Sequence, residues 1–202
     1  MAIASVDEGL VVAGEADPTR SDEALMLRYA QGDRDAFRVL YLRHRGRLHR
    51  FIQRMARDSA LADEVFQETW MAVINSRSRY VAEARFLTYL FSIARKRLSH
   101  HRRGERTRVA KFASSPESCD ALVQSQSHDE PDRNVDNESL GQALLHAVEQ
   151  LPVEQREAFL LRAEGDFTVR EIAELTDVGS ETVKSRLRYA LNRLRHQLRE
   201  WQ

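Results

Sequence analysis

Residues 168–194, TVREIAELTDVGSETVKSRLRYALNRL, fit a short helix, a tight turn and a second helix. Thr168 and Glu171 stand at capping-box spacing, where a hydroxyl and a carboxylate satisfy free amides of a first helical turn. Ile172, Ala173 and Leu175 give this helix an apolar side. Asp177-Val178-Gly179 then interrupts it, which predicts a positive φ at Gly179 and an N-cap at Ser180.

At 100° per residue the second helix divides its side chains between two faces. Val183, Leu187, Ala190, Leu191 and Leu194 share the arc that must pack on the first helix. Glu181, Lys184, Ser185, Arg188, Asn192 and Arg195 lie opposite, and Thr182, Arg186, Tyr189 and Arg193 occupy one flank. From 180 to 199 there are six Lys/Arg against one acid, in a chain whose net charge is zero. Such a face on the second helix of a pair suits a DNA major groove. Lys and Arg reach guanine acceptors there, and Ser, Thr and Tyr hold phosphates. The candidate contacts are Ser180, Glu181, Thr182, Lys184, Ser185, Arg186, Arg188 and Tyr189. An amphipathic surface helix with a solvated basic side is the bland alternative.

The neutral total conceals segregation. Lys plus Arg equal Asp plus Glu at 31 each, yet residues 28–57 hold nine Arg and two Asp, and residues 95–111 hold eight bases and one Glu. Residues 1–27 hold six acids and one Arg, and 114–140 hold seven acids and one Arg. Segregated charge means separate surfaces for separate partners. Cys119 is the only cysteine, so no disulfide framework or cysteine zinc site is expected. No run reaches the roughly 18 apolar residues of a membrane span, and the acidic start is unlike a signal peptide, so a soluble, cytoplasmic protein is expected.

Strand-like alternation is scarce, and the expected fold is all-α: two small helical domains joined by a flexible linker. Residues 1–20 are expected to be a disordered acidic N-terminus, 21–108 a first helical domain, 109–137 an acidic linker and 138–202 a second domain. In the first domain, Leu25 and Leu27 are the opening anchors. A helix is expected to start at Asp33 and carry Phe37, Leu40, Tyr41, Leu48, Phe51, Ile52 and Met55. The Asp-Arg-Asp there is read as helix-start charge and not as a metal site. A second helix over 59–75 buries Leu61, Val65, Thr69 and Val73, leaving Asp63, Glu64, Gln67 and Glu68 as an acidic, amide-bearing ridge. Residues 76–85 read as a loop and Phe86 to about Arg102 as a helix.

That last stretch interleaves Tyr80, Phe86, Tyr89 and Phe91 with Arg77, Arg79, Arg85, Arg95, Lys96 and Arg97. Aromatics beside cations suit unpaired bases, the rings stacking on base faces while the cations follow the backbone. Tyr80, in the loop, is the foremost stacking candidate, although Phe86, Leu90, Ile93 and Leu98 also fit a core stripe. As a flexible coil, the 26 residues 112–137 would have an end-to-end distance of roughly 28 Å and a limit of about 85 Å. In the second domain Leu144, Leu145, Val148 and Leu151 mark one helix, and Pro152 the first position of the next.

With both units placed, the chain resembles a bacterial sigma factor of the sigma-70 family, of the compact extracytoplasmic-function type. ALMLRYAQGDRDAFRVLYLRH through DEVFQETWMAVI resembles region 2.1–2.2, FLTYLFSIARKRL region 2.3–2.4, and LPVEQREAFLLRAEGDFTVREIAELTDVGSETVKSRLRYALNRLR region 4. The resemblance implies that Asp63, Glu64, Gln67 and Glu68 dock on the clamp helices of the polymerase β′ subunit, with the β flap as a further contact. It implies that Tyr80, Ile93 and Lys96 capture a flipped base of the −10 element, beside Arg77, Arg79 and Tyr89. Extrusion exposes a base edge for reading. Lys184, Ser185, Arg188 and Tyr189 fall on the −35 recognition helix, with Thr182 and Arg186 beside them. The partners implied are core RNA polymerase, promoter DNA and an anti-sigma factor, with no cofactor and no membrane insertion. The chain departs from the family pattern at Tyr89 (usually Trp), Lys96 (often Asn), Glu181 (often Gly) and Tyr189 (often Arg). Glu181 would repel phosphate or accept from a cytosine amino group.

The competing reading is a stand-alone helix-turn-helix regulator on duplex operator DNA, which leaves the acidic ridge and the aromatic-basic stretch without a task. An enzyme on nucleic acid finds no metal cluster, phosphate loop or nucleophile-base pair in the sequence. His44, His49, His100 and His101 read as phosphate contacts or plain surface.

Overall fold

The computed structural model describes residues 21–56, 58–113 and 135–199, with side chains over 21–56, 58–104 and 140–199. Among the described residues there are helices and no strands. They form α1 (Asp22–Ala30), α2 (Arg34–Ala56), α3 (Ser59–Ser76), a 3-10 turn at Arg77–Arg79, α4 (Phe86–Ala113), α5 (Val135–Glu149), α6 (Val153–Gly165), α7 (Val169–Thr176) and α8 (Ser180–Gln197). The all-α expectation holds. The proposed 1–20 tail and Cys119 lie outside the described residues, as does the middle of the proposed linker.

Helices α1–α4 form one unit because each carries an apolar stripe at steps of three and four. In α2 the buried positions are Ala36, Leu40, His44, Leu48, Phe51, Ile52 and Met55, and in α3 Ala62, Val65, Thr69, Trp70 and Val73. Phe86, Leu90, Phe91, Ala94 and Leu98 of α4 close the core. Caps fix the register. Ser21 accepts from the Ala24 amide (3.1 Å), Asp33 from Ala36 (3.1 Å) and Asp58 from Leu61 (3.0 Å), each cap contributing about 1 kcal/mol.

Helix α1 is fastened by two acids. Glu23 accepts from the Phe86 amide at 2.7 Å, capping α4 from another helix. Asp22 takes His44 at 2.7 Å and Arg43 at 2.9 Å. Burial pushes the Asp22 carboxyl up, but His44 and Arg43 outweigh it and hold it below its ordinary value. His44 is thus a buried partner of α1, and the expectation of a phosphate contact or plain surface fails for it.

Helices α5–α8 form the second unit around Val148, Leu151, Ala158, Leu160, Leu161, Phe167, Ile172, Val183, Ala190 and Leu194. Several local expectations are corrected. Leu27, Leu144, Leu145 and Leu191 are exposed, because a helix buries only one stripe and these sit off it. Helix α4 continues past Arg102 to Ala113, since nothing in that polar stretch breaks a helix. Pro152 is the N-cap of α6 and not its first residue. The two units pack directly on each other, α2 lying along α6 and the Phe91 and Phe167 rings meeting edge to face at 5.3 Å.

Candidate nucleic-acid interface

Helix α7 opens with the capping box read from the sequence: Thr168 accepts from the Glu171 amide (3.2 Å), and Glu171 accepts from the Thr168 amide (2.8 Å). It closes at Asp177, whose φ of 55° places it in the left-handed region. A short polar side chain tolerates that conformation. Gly179, expected to supply the positive φ, has φ −67° and ψ 150° and is itself the N-cap of α8, so Ser180 is the first helical residue. The turn is set by the α7 C-cap; Gly179 contributes the absence of a side chain at a cap without a side-chain hydrogen bond.

Helix α8 buries Val183, Ala190 and Leu194 and leaves Ser180, Glu181, Thr182, Lys184, Arg188 and Tyr189 exposed, with Ser185 and Arg186 half-buried. Glu181 accepts from Lys184 Nζ at 2.7 Å, so its carboxylate is partly neutralised within the helix. The Arg188 guanidinium carbon lies 5.2 Å from the centre of the Tyr189 ring, a cation–π contact that orients both side chains outward. The sequence-predicted contacts of this helix therefore share one accessible surface.

On the first unit, Tyr89, Ile93 and Lys96 recur at four and three residues along α4, one stripe that runs from half-buried to exposed. Tyr89 shares a hydrogen bond with Ser76. Arg77 and Arg79 are exposed on the 3-10 turn, Arg77 lying 5.9 Å over the Tyr29 ring. Tyr80 is half-buried, edge-on to Tyr89 at 5.3 Å, with a buried hydroxyl that has no hydrogen-bond partner among the described residues. Burial, then the charges of Glu23, Tyr89 and Asp22, push its hydroxyl up to about 12. Because that hydroxyl is unsatisfied, Tyr80→Phe is expected to change stability by less than about 1 kcal/mol, toward greater stability. The neutral phenol is favoured in the fold until pH rises through about 12, so spectrophotometric titration should lose one late-ionising tyrosine in the variant. A large drop in melting temperature would show that the hydroxyl has a partner.

On α3, Asp63, Glu64 and Gln67 are exposed and Glu68 is half-buried. Asp63 faces His49 at 3.3 Å, and Glu68 faces Arg97 at 3.8 Å and His101 at 3.5 Å. The donor atoms of Glu64, Glu68 and His101 lie within 4.8 Å of one another, with the Arg97 cation already set against the Glu68 carboxylate. Trp70 beside them is buried, edge-on to Tyr41 at 5.1 Å and Phe37 at 5.8 Å, and props the helix from inside.

The residues that sequence reasoning missed lie where the units meet. Glu164, buried, accepts from Arg50 and Arg54 of α2. Arg95 donates to Glu157 at 2.9 Å, and Arg85 to Glu171 at 3.0 Å. Burial raises the Glu171 carboxyl, but the Thr168 amide and Arg85 outweigh it and hold it below its ordinary value.

With this geometry established, similarity to known proteins follows the same division. Residues 40–108 match the family model for sigma-70 region 2, and residues 141–194 that for sigma-70 region 4. RNA polymerase sigma factor CarQ of Myxococcus xanthus is 33% identical over 87% of this chain and 96% of its own length. The ECF RNA polymerase sigma factor SigK of Mycobacterium ulcerans is 30% identical over 89% and 95%. Among solved structures, the sigma factor RpoE of Bartonella quintana, in complex with the anti-sigma factor NepR, superposes with a TM-score of 0.60 at 21% identity, over 81% of this chain and 96% of that one. CnrH in complex with the cytosolic domain of CnrY gives a TM-score of 0.60 at 20% identity, over 90% and 99%. Among the described residues no helix is long and apolar enough to cross a membrane.

Proposed function

Because the chain belongs to the sigma-70 family, as a sigma factor of the extracytoplasmic-function type, we propose a division of its surfaces between polymerase and promoter. The protein binds core RNA polymerase and directs promoter-specific initiation. The α3 ridge of Asp63, Glu64, Gln67 and Glu68 docks on the β′ clamp helices, and the region 4 unit meets the β flap. Arg77, Arg79, Tyr80, Tyr89, Ile93 and Lys96 engage the melted −10 strand, and the outer face of α8 reads the −35 element. The two units are taken as residues 21–108 and 138–202. It acts in the cytoplasm, carries out no reaction of its own, and binds an anti-sigma factor, as RpoE of B. quintana is in complex with NepR.

The observation that supports this most is that ridge, stripe and recognition helix are all accessible on one chain, each with a distinct partner chemistry. A stand-alone regulator would have use only for the third. Run-off transcription with purified core polymerase on a randomised promoter pool tests the reading: transcripts should depend on the chain and share two upstream elements. A chain that footprints duplex DNA unaided and never associates with core would overturn it. On that assay Lys184→Ala and Arg188→Ala are each expected to cost about 1–3 kcal/mol, in a manner that depends on the −35 sequence. Equal loss on every promoter would reduce both to phosphate contacts.

A further inference from the structure

We propose that Ser76 fixes the hydrogen-bond polarity of Tyr89, making the Tyr89 hydroxyl an acceptor that selects a base of the melted strand by its exocyclic amino group. Ser76 itself touches no DNA in this scheme; its role rests on the assignment of Tyr89 to the −10 strand.

The direction of each bond follows from the protons available. A serine hydroxyl carries one proton to donate, and so does a tyrosine hydroxyl. Ser76, the last residue of α3, has its oxygen 2.6 Å from the Ala72 carbonyl and 3.3 Å from that of Val73, and also against the Tyr89 hydroxyl. A carbonyl oxygen only accepts, so the close approach to Ala72 uses the Ser76 proton. The contact with Tyr89 must then use the Tyr89 proton, with Ser76 accepting. What remains on the Tyr89 oxygen is lone pairs. A tyrosine without such a partner turns its O–H to meet a base amino group or a base carbonyl alike. Here, turning would break the bond to Ser76.

The ring is held as well as the hydroxyl. Tyr80 stands edge-on to it at 5.3 Å, and Phe86 lies tilted at 6.2 Å. The Tyr80 hydroxyl is without a partner among the described residues, so it sends no proton to the Tyr89 oxygen. Tyr89 is half-buried, on the stripe that runs through Ile93 to the exposed Lys96. An acceptor in such a place meets adenine through N6, cytosine through N4 and guanine through N2. Thymine has no amino group, and its ring N–H lies between two carbonyl oxygens that would face the Tyr89 lone pairs. Thymine is therefore the base that Tyr89 rejects.

The test uses the full chain with core polymerase, on promoters that carry each base in turn at every −10 position with the −35 element constant. Open-complex formation is the readout. One position should favour an amino-bearing base over thymine by about three- to tenfold, the effect of one uncharged hydrogen bond. Replacing the favoured base by its analogue without the amino group (purine for adenine, 2-pyrimidinone for cytosine, hypoxanthine for guanine) should remove the advantage. Tyr89→Phe should flatten that position and no other. Ser76→Ala should flatten it too, because the Tyr89 hydroxyl is then free to donate or accept. Each substitution deletes only a hydroxyl, so core binding should be unchanged. Added to Tyr89→Phe, Ser76→Ala should alter no base preference further, since two groups acting through one bond are not additive. A further change in that double variant overturns the role of Ser76 and leaves the −10 assignment of Tyr89 standing. So does a profile that Tyr89→Phe flattens and Ser76→Ala leaves intact. A Tyr89-dependent preference for thymine, or one that survives loss of the amino group, overturns the polarity. If Tyr89→Phe alters no position, the −10 assignment of Tyr89 fails and Ser76 has nothing to direct.

Discussion

Reversing the α3 ridge with Asp63→Arg and Glu68→Arg is expected to weaken binding to core polymerase by at least about a hundredfold, roughly 3 kcal/mol. Placing like charge against a docking partner costs several kcal/mol, far more than deleting an exposed charge. Asp63 is exposed and Glu68 half-buried, on the flanks away from Val65, Thr69 and Val73, which α3 carries into the core. Glu68→Arg also gives up the Arg97 (3.8 Å) and His101 (3.5 Å) pairs and sets like charge against Arg97, so a melting curve of the variant accompanies the binding assay. Fluorescence titration with labelled core polymerase measures the loss, and duplex −35 binding by the same variant should not change. An unaltered core affinity would remove the docking assignment for this ridge.

The second large effect is expected at Gly165, the last residue of α6. Alanine within a helix ordinarily stabilises by up to about 1 kcal/mol over glycine. Here the added methyl carbon would stand 2.2 and 2.3 Å from two ring carbons of Phe167. That ring is fully buried and lies against Phe91, so it has no free space into which to retreat. The clash should prevail, and Gly165→Ala is expected to destabilise by about 1–3 kcal/mol. At roughly 2–4 °C per kcal/mol for a chain of this length, thermal melting resolves it. Phe167→Leu in the same chain should recover part of the loss, a non-additivity expected of groups in direct contact. A raised melting temperature for Gly165→Ala alone would show that Phe167 sits elsewhere.

What the sequence made legible was local. The Thr168–Glu171 capping box needs only a three-residue spacing, and it is present. The alternation of Val183, Ala190 and Leu194 against Lys184 and Arg188 settles which side of α8 is buried without knowledge of what it packs on. The assignment of Tyr89, Ile93 and Lys96 to a site, by contrast, comes from the family resemblance, since periodicity alone fits Ile93 to a core stripe. Where two residues compete for one backbone role, propensity misled: glycine is the usual positive-φ residue, yet Asp177 takes that conformation and Gly179 does not. Leu144 and Leu145 show a second limit, since an apolar residue at a helix edge has no local sign of being left uncovered. The salt bridges between the units were illegible for a third reason. Arg50 carries no hint of Glu164, because a charged residue reads as solvated until the fold supplies an opposite charge.

Joining the units by one chain changes what the Glu164 and Phe167 contacts must achieve. Tethered partners meet at an effective concentration that reaches the millimolar range for short connections. Faces that would associate only feebly as separate molecules can then remain together most of the time.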